Sequence, residues 1–197
     1  MKTIIPANVR CWEKVGEPDF LAKHYGLSLM TQLFKDPDGK QHDFSIFGAK
    51  NWATICPVTI DLKLVVVRQY KQGIDDVTIE FPAGTVDDGE GVEETAIREF
   101  HEETGYVAQQ IVAPHLQLHH ISTRKSANYF RTFVALGCVF SGEQKLDKDE
   151  EIEVLEVEQF EFWKMVRAGE ITEPSTIVAA TNAVLAGYLT TGHMGPR

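Results

Sequence analysis

The sequence predicts a mixed α/β (α+β) fold with a mixed β-sheet and an additional β region at the N-terminus. From residue 52 onward, short segments with the alternation or β-branched content of strands are interleaved with segments of helical periodicity. About the first 45 residues, by contrast, contain strand-like segments only. The length of 197 residues suits one domain with a small addition. We therefore predict an N-terminal β region over residues 1–48 and a main domain over residues 49–197.

The N-terminal β region contains a hairpin signal. Two strand-like segments, Leu27–Lys35 and His42–Phe47, flank residues 36–40, which read Asp-Pro-Asp-Gly-Lys. Proline is favoured at the second position of a β-turn and glycine at its end, so we expect the two segments to pair through this turn.

The main domain contains several predicted strands. A continuous apolar and β-branched run at Leu64–Val67 indicates a strand that is buried on both faces. The alternation of apolar and acidic residues from Ile152 onward indicates a half-buried strand. The predicted strands are Trp52–Ile60, Leu64–Tyr70, Thr78–Phe81, Gln117–Ile121, Tyr129–Cys138 and Ile152–Val157.

Three helices are predicted from apolar residues at spacings of three and four. The first spans Val92–Thr104 and ends at Gly105, a residue type suited to the left-handed position after a helix. Two more are predicted at Glu158–Ala168 and at Pro174–Leu189, where proline suits the first helical turn. The apolar face of the first helix is predicted to consist of Val92, Ala96, Ile97 and Phe100.

The composition argues against several classes of protein. The formal charge of 19 − 29 = −10 disfavours a nucleic-acid partner, whose binding needs a basic surface. The three cysteines form no CxxC pair, so neither a disulfide framework nor a zinc site is indicated. Residues 174–192 carry no formal charge, but hydroxyl and amide side chains interrupt them, which favours a docked helix over a membrane span. We expect a soluble, cytoplasmic protein without a membrane partner.

The first predicted helix carries an unusual group of acids. At about 100° per residue, Glu103 lies about 40° from Glu99 and Glu102 about 60° to the other side, so the three carboxylates share one face. Like charges at this spacing cost a few tenths of a kcal/mol per pair, and the last turn of a helix favours cations instead. A solvated acidic face is one interpretation. The other is a site for Mg²⁺ or Mn²⁺, which prefer oxygen ligands.

The stretch from Gly84 to Tyr106 resembles the Nudix box, G-x5-E-x7-R-E-U-x-E-E-x-G-U, where U is a bulky apolar residue. The matching residues are Gly84, Glu90, Arg98, Glu99, Glu102, Glu103 and Gly105, with Phe100 and Tyr106 at the U positions. The resemblance implies an α/β/α sandwich fold and a hydrolase acting on the phosphoric anhydride of a nucleoside diphosphate linked to another moiety.

The resemblance also implies roles for individual residues. The glutamates at 99, 102 and 103 correspond to the family's Mg²⁺ ligands, with the backbone carbonyl of Ala83 completing the metal shell, and Glu102 and Glu103 are also the catalytic candidates. Glu90 and Arg98 are implied to form a structural pair. Gly84 and Gly105 are implied to be structural as well.

The flanks of the box resemble one branch of the family. Residues 80–84, Glu-Phe-Pro-Ala-Gly, are similar to the E-x-P-A-G segment of ADP-ribose and ADP-sugar pyrophosphatases, and residues 68–71 are similar to their R-Q-[YF]-R segment. By this resemblance Arg68, Lys71 and Glu80 bind the substrate. The hairpin region with Phe44 resembles the N-terminal β region through which this branch forms homodimers, and Phe44 or Trp52 is expected to stack on the base.

A second acidic cluster, residues 147–151, precedes the last predicted strand. In the branch that this chain resembles, a glutamate here supplies a metal contact or the general base. Glu150 is the best match, with Glu151 and Asp149 as alternatives to it. The adjacent pair His119 and His120 would point to opposite faces of a strand, so they are not expected to bind one metal together.

These features predict Mg²⁺-dependent hydrolysis, with Mn²⁺ as the other candidate metal, of ADP-ribose or related ADP-sugars to AMP and a sugar phosphate. Another nucleoside-diphosphate sugar such as GDP-mannose is an alternative substrate. A Nudix-like module that senses a nucleotide without cleaving it, and a hydrolase of oxidised nucleoside triphosphates, are further alternatives. A homodimer is the expected assembly.

Overall fold

The structure is a computed structural model that describes residues 9–114 and 118–191. These residues form two compact units. The first unit contains residues 9–50 and 120–128, and the second contains residues 51–114, 118–119 and 129–191. The first unit therefore includes a stretch, residues 120–128, that no sequence pattern had separated from the main domain.

The first unit contains a three-stranded antiparallel sheet in the order β1-β2-β3. Its strands are β1 (Glu13–His24), β2 (Leu27–Lys35) and β3 (Gln41–Gly48). The predicted hairpin is confirmed: Lys35 pairs with Gln41, and Gly39 closes the turn with φ +89°. A positive φ is strained for residues with a Cβ, which is why glycine is favoured at this point.

The second unit is built on a mixed sheet, as the sequence predicts. Its main strand order is β10-β11-β4-β5-β12, and β4 runs parallel to β11 and antiparallel to β5. Of the other strands, β6 pairs with β5, β7 pairs with β4, and β8 and β9 pair with β11. The strands are β4 (Trp52–Thr59), β5 (Leu64–Lys71), β6 (Asp76–Glu80), β7 (Ala83–Thr85), β8 (Tyr106–Val107), β9 (Gln110–Val112), β10 (His119–His120), β11 (Tyr129–Phe140) and β12 (Ile152–Val157).

Helices cover both faces of this sheet, which confirms the α/β/α sandwich. Helix α1 (Val92–Thr104) packs on one face, and helices α2 (Gln159–Ala168) and α3 (Pro174–Leu185) pack on the other. The two faces alternate along β5, where Val65 contacts the α1 side and Val66 the α2–α3 side, and both are fully buried. None of the helices in residues 9–114 and 118–191 has more than 13 residues, and none could span a membrane.

Three details differ from the sequence predictions. Ile97 is 42% exposed, so it does not belong to the buried face of α1, where Thr95 and Glu103 are found instead. Helix α3 ends at Leu185, four residues before the predicted end, and Gly187 follows with φ +82°. The predicted strand Gln117–Ile121 is reduced to β10, and Gln117 lies outside the described residues.

Candidate active site

Both ends of helix α1 are fixed by local interactions. Gly91 is the N-cap residue, and its backbone N–H donates to the Glu94 carboxylate at 2.9 Å, as in a capping box. Gly105 ends the helix in the left-handed region with φ 71°. A Cβ at Gly105 would lie 2.4 Å from the carbonyl oxygen of Gly142, so a larger residue would force the chain apart here. The helix therefore presents its acidic face in a defined orientation.

Arg98 is the centre of an ion-pair network. Its Nε and Nη2 donate to the two carboxylate oxygens of Glu90 at 2.8 and 3.0 Å. Its Nη1 donates to Glu99 at 2.7 Å and to Glu102 at 3.1 Å. Hydrogen bonding to Arg98 lowers the pKa of Glu90 from its ordinary 4.5 to about 2. Arg98 thereby ties the loop that carries Glu90 to the helix and holds two of the three helix acids.

Glu103 is the buried acid of the helix, with only 3% of its surface exposed. It accepts a hydrogen bond from the backbone N–H of Ala83 at 3.1 Å. Burial raises the pKa of Glu103 well above its ordinary value, and the charge of Glu99 raises it further. Burial also raises the pKa of Glu99, although Arg98 acts in the opposite direction. The charge on these two acids is therefore incompletely compensated.

Gly84 allows the helix acid Glu99 to approach the backbone. A Cβ at Gly84 would lie 1.9 Å from Cδ of Glu99, a distance that no pair of non-bonded carbons can adopt. Any other residue at 84 would displace the Glu99 carboxylate, which explains physically why glycine occupies this position.

Lys71, Glu80 and Gln69 form a second polar group beside the helix acids. The Lys71 ammonium and Gln69 Nε2 both contact Oε1 of Glu80, at 2.7 and 2.6 Å. The Glu80 carboxylate is nearly inaccessible, whereas the Lys71 side chain is 40% exposed. The charge of Lys71 also lowers the pKa of Glu103, so the ammonium acts on the helix acids as well.

Arg68 is not brought to this group. Successive side chains of a strand point to opposite faces, and Gln69 and Lys71 contact Glu80, so Arg68 lies on the other face of β5. There its guanidinium forms an ion pair with Glu153 of the neighbouring strand β12. Arg68 and Lys71 are three positions apart in β5, and this odd spacing places the two cations on different faces of the strand.

A loop after β11 is fixed to the end of α1. The backbone N–H of Ser141 donates to the carbonyl of Gly105 at 2.9 Å, Gln144 Nε2 to that of Glu103 at 2.6 Å, and the N–H of Lys145 to that of Glu102 at 2.8 Å. These carbonyls have no partner within the helix, so the loop supplies their hydrogen bonds.

The same loop continues to Glu150, whose carboxylate accepts from the backbone N–H of Asp147 at 3.0 Å. Its charge contributes to the raised pKa of Glu99, which places it within electrostatic reach of the helix acids. Gln144, which anchors the loop, was missed by sequence reasoning because an isolated glutamine in a polar loop carries no pattern.

A cavity of about 500 Å³ adjoins these groups in the second unit. It is lined by Lys71, Glu80 and Trp52, by residues 83–85 and by residues 172–175. The ring of Trp52 also stacks on Phe130 with the ring centroids 5.1 Å apart. Residues 172–175 were not predicted, because only the fold brings the start of α3 to β7 and β4.

Phe44 belongs to the first unit. Its ring packs edge-on against Trp12 and Phe34, each with ring centroids 5.7 Å apart. The two adjacent histidines have separate partners: Nε2 of His119 lies 3.2 Å from the side-chain amide of Asn182, and Nδ1 of His120 lies 3.0 Å from the carbonyl oxygen of Asn128.

The donor chemistry of the helix acids fits a hard cation, since three carboxylates share one face and two of them have raised pKa values. Among the described residues, no three carboxylate, imidazole or thiol groups stand close enough together to hold a metal ion as they are. The side chains explain this arrangement, because Arg98 holds the carboxylates of Glu99 and Glu102 while Glu103 turns to Ala83. Binding an ion therefore requires these side chains to change partners.

The sandwich fold and the acid-bearing helix beside a lysine-lined cavity define a hydrolase of phosphoric anhydrides. The NUDIX domain family model matches residues 50–175, and the chain belongs to this family. It is therefore a Nudix hydrolase.

Two curated relatives and a solved structure are similar to the chain. The ADP-ribose pyrophosphatase of Bacillus subtilis (strain 168) is 30% identical over 154 residues, covering 78% of this chain and 82% of the relative. The methanol dehydrogenase activator of Bacillus methanolicus is 27% identical over 144 residues, covering 73% and 77%. A crystal structure of an ADP compounds hydrolase superposes with a TM-score of 0.77 at 16% identity, over 93% of this chain and 100% of that one, and supports the fold.

Proposed function

We propose that the protein hydrolyses the pyrophosphate bond of ADP-ribose or related ADP-sugars to AMP and a sugar phosphate. The observation that carries this proposal is that Lys71 lines the cavity and also acts electrostatically on Glu103, a buried acid of α1. A diphosphate needs a cation and a metal-binding set of acids within reach, and Lys71 and the helix acids supply these two groups. The similarity to the ADP-ribose pyrophosphatase of Bacillus subtilis supports the choice of substrate.

The proposal includes a divalent cation, Mg²⁺ or Mn²⁺. Glu99, Glu102, Glu103 and the carbonyl of Ala83 would hold it, since all of them offer oxygen ligands. When bound, such an ion neutralises the diphosphate and lowers the pKa of a water ligand. Arg98 would release Glu99 and Glu102 to the ion while it keeps Glu90 in place.

The remaining roles fall to side chains of this chain. Lys71 would hold a phosphate oxygen of the substrate, because its ammonium is partly exposed at the cavity and oriented by Glu80. Glu150 would accept the proton of the attacking water, since it lies in a loop fixed to the end of α1. Trp52 offers an aromatic surface in the cavity for the base or sugar. Phe44 remains a candidate for stacking on the base.

A panel of nucleoside-diphosphate substrates tests the proposal, with Mg²⁺ and with Mn²⁺. ADP-ribose should give AMP and ribose 5-phosphate, with a kcat/KM well above the values for GDP-mannose and nucleoside triphosphates. Faster hydrolysis of GDP-mannose than of every ADP-sugar would refute the substrate. Release of inorganic pyrophosphate from a triphosphate would indicate a different reaction.

We further propose that the protein is a homodimer formed through its first unit. Leu27, Leu29 and Leu33 alternate along β2, and Phe47 pairs with Leu29, so the four exposed apolar side chains share one face of the sheet. Light scattering should give a dimeric mass, and Leu29→Glu should give a monomer. Leu185→Glu, a matched change at an exposed position of α3, should leave the dimer intact. A monomeric wild type would refute this proposal.

A further inference from the structure

The cavity is lined by groups of opposite charge. Lys71 presents an ammonium, and Glu80 beside it already contacts Gln69, Lys71 and Thr78. Glu173 also lines the cavity and carries a carboxylate. A diphosphate is attracted to the ammonium of Lys71 and repelled by the carboxylate of Glu173. A ligand in the cavity is therefore favoured with its phosphate at Lys71 and an uncharged, hydroxyl-bearing part at Glu173.

The Glu173 carboxylate is held in a fixed orientation. Its Oε2 accepts the backbone N–H of Thr176 at 3.0 Å, as the N-cap of α3, and the hydroxyl of Ser175 at 2.5 Å. The Ser175 hydroxyl in turn accepts from that of Thr54 at 2.8 Å, and both Ser175 and Thr54 are buried. Both hydrogen bonds to the carboxylate go to Oε2, so capping the helix does not require Oε1.

We infer that Glu173 binds a pentose hydroxyl of the substrate through Oε1, in the cavity that Trp52 also lines. This inference rests on the proposed function and names the specificity-determining residue for the sugar. A pentose phosphate has a phosphate for Lys71 and hydroxyl donors for Glu173. A carboxylate held by fixed neighbours binds such a donor at little further cost in entropy. The pentose comes from either half of an ADP-sugar, and the two halves can be tested separately.

The test compares ligand binding by wild type and Glu173→Gln, measured by calorimetry. Glutamine keeps a side-chain oxygen for the N–H of Thr176 and replaces the other oxygen by a donor, so the cap persists. The ligands are AMP and 2′-deoxy-AMP for one half, and ribose 5-phosphate and 2-deoxyribose 5-phosphate for the other. IMP reports on the adenine amino group. Glu158→Gln is the matched control, because Glu158 is the N-cap residue of α2 and its side chain makes no capping hydrogen bond.

Wild type should bind the ribose form of one pair at least tenfold more tightly than the deoxyribose form. Glu173→Gln should abolish this ratio with an unchanged Tm, and Glu158→Gln should preserve it. Tighter binding of AMP than of 2′-deoxy-AMP assigns the ribose of the nucleoside half to Glu173. Tighter binding of ribose 5-phosphate than of 2-deoxyribose 5-phosphate assigns the ribose of the other half. The inference is overturned if wild type binds the ribose and deoxyribose forms of both pairs equally, or if Glu173→Gln keeps the preference for the ribose form. It is also overturned if the variant changes only the preference of AMP over IMP.

The inference and the proposed function fail in different ways. Because Glu173 lies outside the acid cluster, Glu173→Gln should raise KM for ADP-ribose and keep kcat within about threefold of wild type. If wild type hydrolyses no ADP-sugar, the proposed function fails, while the binding measurements still decide the role of Glu173. If wild type hydrolyses ADP-ribose and the variant has an unchanged KM, only the inference fails.

Discussion

Replacing Glu103 by glutamine should stabilise the metal-free protein while it removes a ligand from the acid cluster. Glu103 is almost fully buried, and both burial and the charge of Glu99 raise its pKa, so ionising this acid in the folded state costs stability. Glutamine can still accept the N–H of Ala83. Removing an under-compensated buried charge recovers about 1–3 kcal/mol. For a chain of this length, Tm should rise by roughly 2–4 °C per kcal/mol.

The stability difference between wild type and Glu103→Gln should depend on pH in one direction. The folded-state pKa of Glu103 lies above its unfolded value near 4.5. Below that unfolded value the acid is protonated in both states and costs nothing, and the cost develops as pH rises through the folded-state pKa. With EDTA present, the Tm advantage of the variant should therefore be absent below the unfolded-state pKa near 4.5, grow as pH rises, and become complete above the folded-state pKa. Differential scanning calorimetry measures it.

The catalytic effect of the same substitution should be opposite. Turnover of ADP-ribose should fall at least 100-fold, which corresponds to about 2.7 kcal/mol of transition-state stabilisation. Mn²⁺ binding, followed by electron paramagnetic resonance, should weaken in parallel. Glu93→Gln is the matched control, because Glu93 lies on the exposed first turn of the same helix. Near-normal turnover, or earlier unfolding without metal, would refute this account of Glu103.

Substitutions at three further positions test other parts of the site. Lys71→Ala should mainly raise KM and Lys71→Arg should be tolerated, as steady-state kinetics would show; an unchanged KM for Lys71→Ala would remove this residue from the site. Gln144→Ala should release the loop and thereby lower kcat with a smaller effect on KM. This loss of kcat should disappear when Glu150 is already glutamine, whereas additive losses in the double variant would contradict a coupling between Gln144 and Glu150. Glu90→Gln should lower Tm near neutral pH, and the difference from wild type should shrink as pH falls from 4.5 through about 2, because the lowered pKa of Glu90 stabilises the fold only while it is ionised. A difference that persists in strong acid would show that Arg98 pairing is not its cause.

Much of the fold was predictable because most of its long elements have strong periodic patterns, although the 12-residue β1 was not predicted as a strand of its own. Helix α1 and strand β12 have the predicted bounds, and the buried run in β5 is buried on both faces. Strands β7, β8 and β9 were missed, since two or three residues are too few to show a period. Ile97 was misplaced because Thr95 and the acid Glu103 occupy the buried side, and hydrophobicity alone cannot identify a buried functional acid.

The candidate site was predictable only where its residues are neighbours in sequence. The box motif identified Glu90 and the helix acids, which lie within 14 residues of one another. Gln144 and Glu173 come from distant segments, and only the packing of the loop and of α3 brings them to α1 and to the cavity. No local pattern distinguishes them from ordinary surface residues.

Arg98 accounts for how so many acids remain close together in the metal-free protein. Its Nε and Nη2 form a two-point contact with Glu90, whereas Nη1 is shared between Glu99 and Glu102. A contact shared by one nitrogen is more easily exchanged than a two-point contact. A divalent cation could therefore take over Glu99 and Glu102 while the Glu90 contact keeps the box loop in place. In the proposed metal-bound state, Glu99 and Glu102 would exchange Arg98 for the ion while the box loop keeps its position.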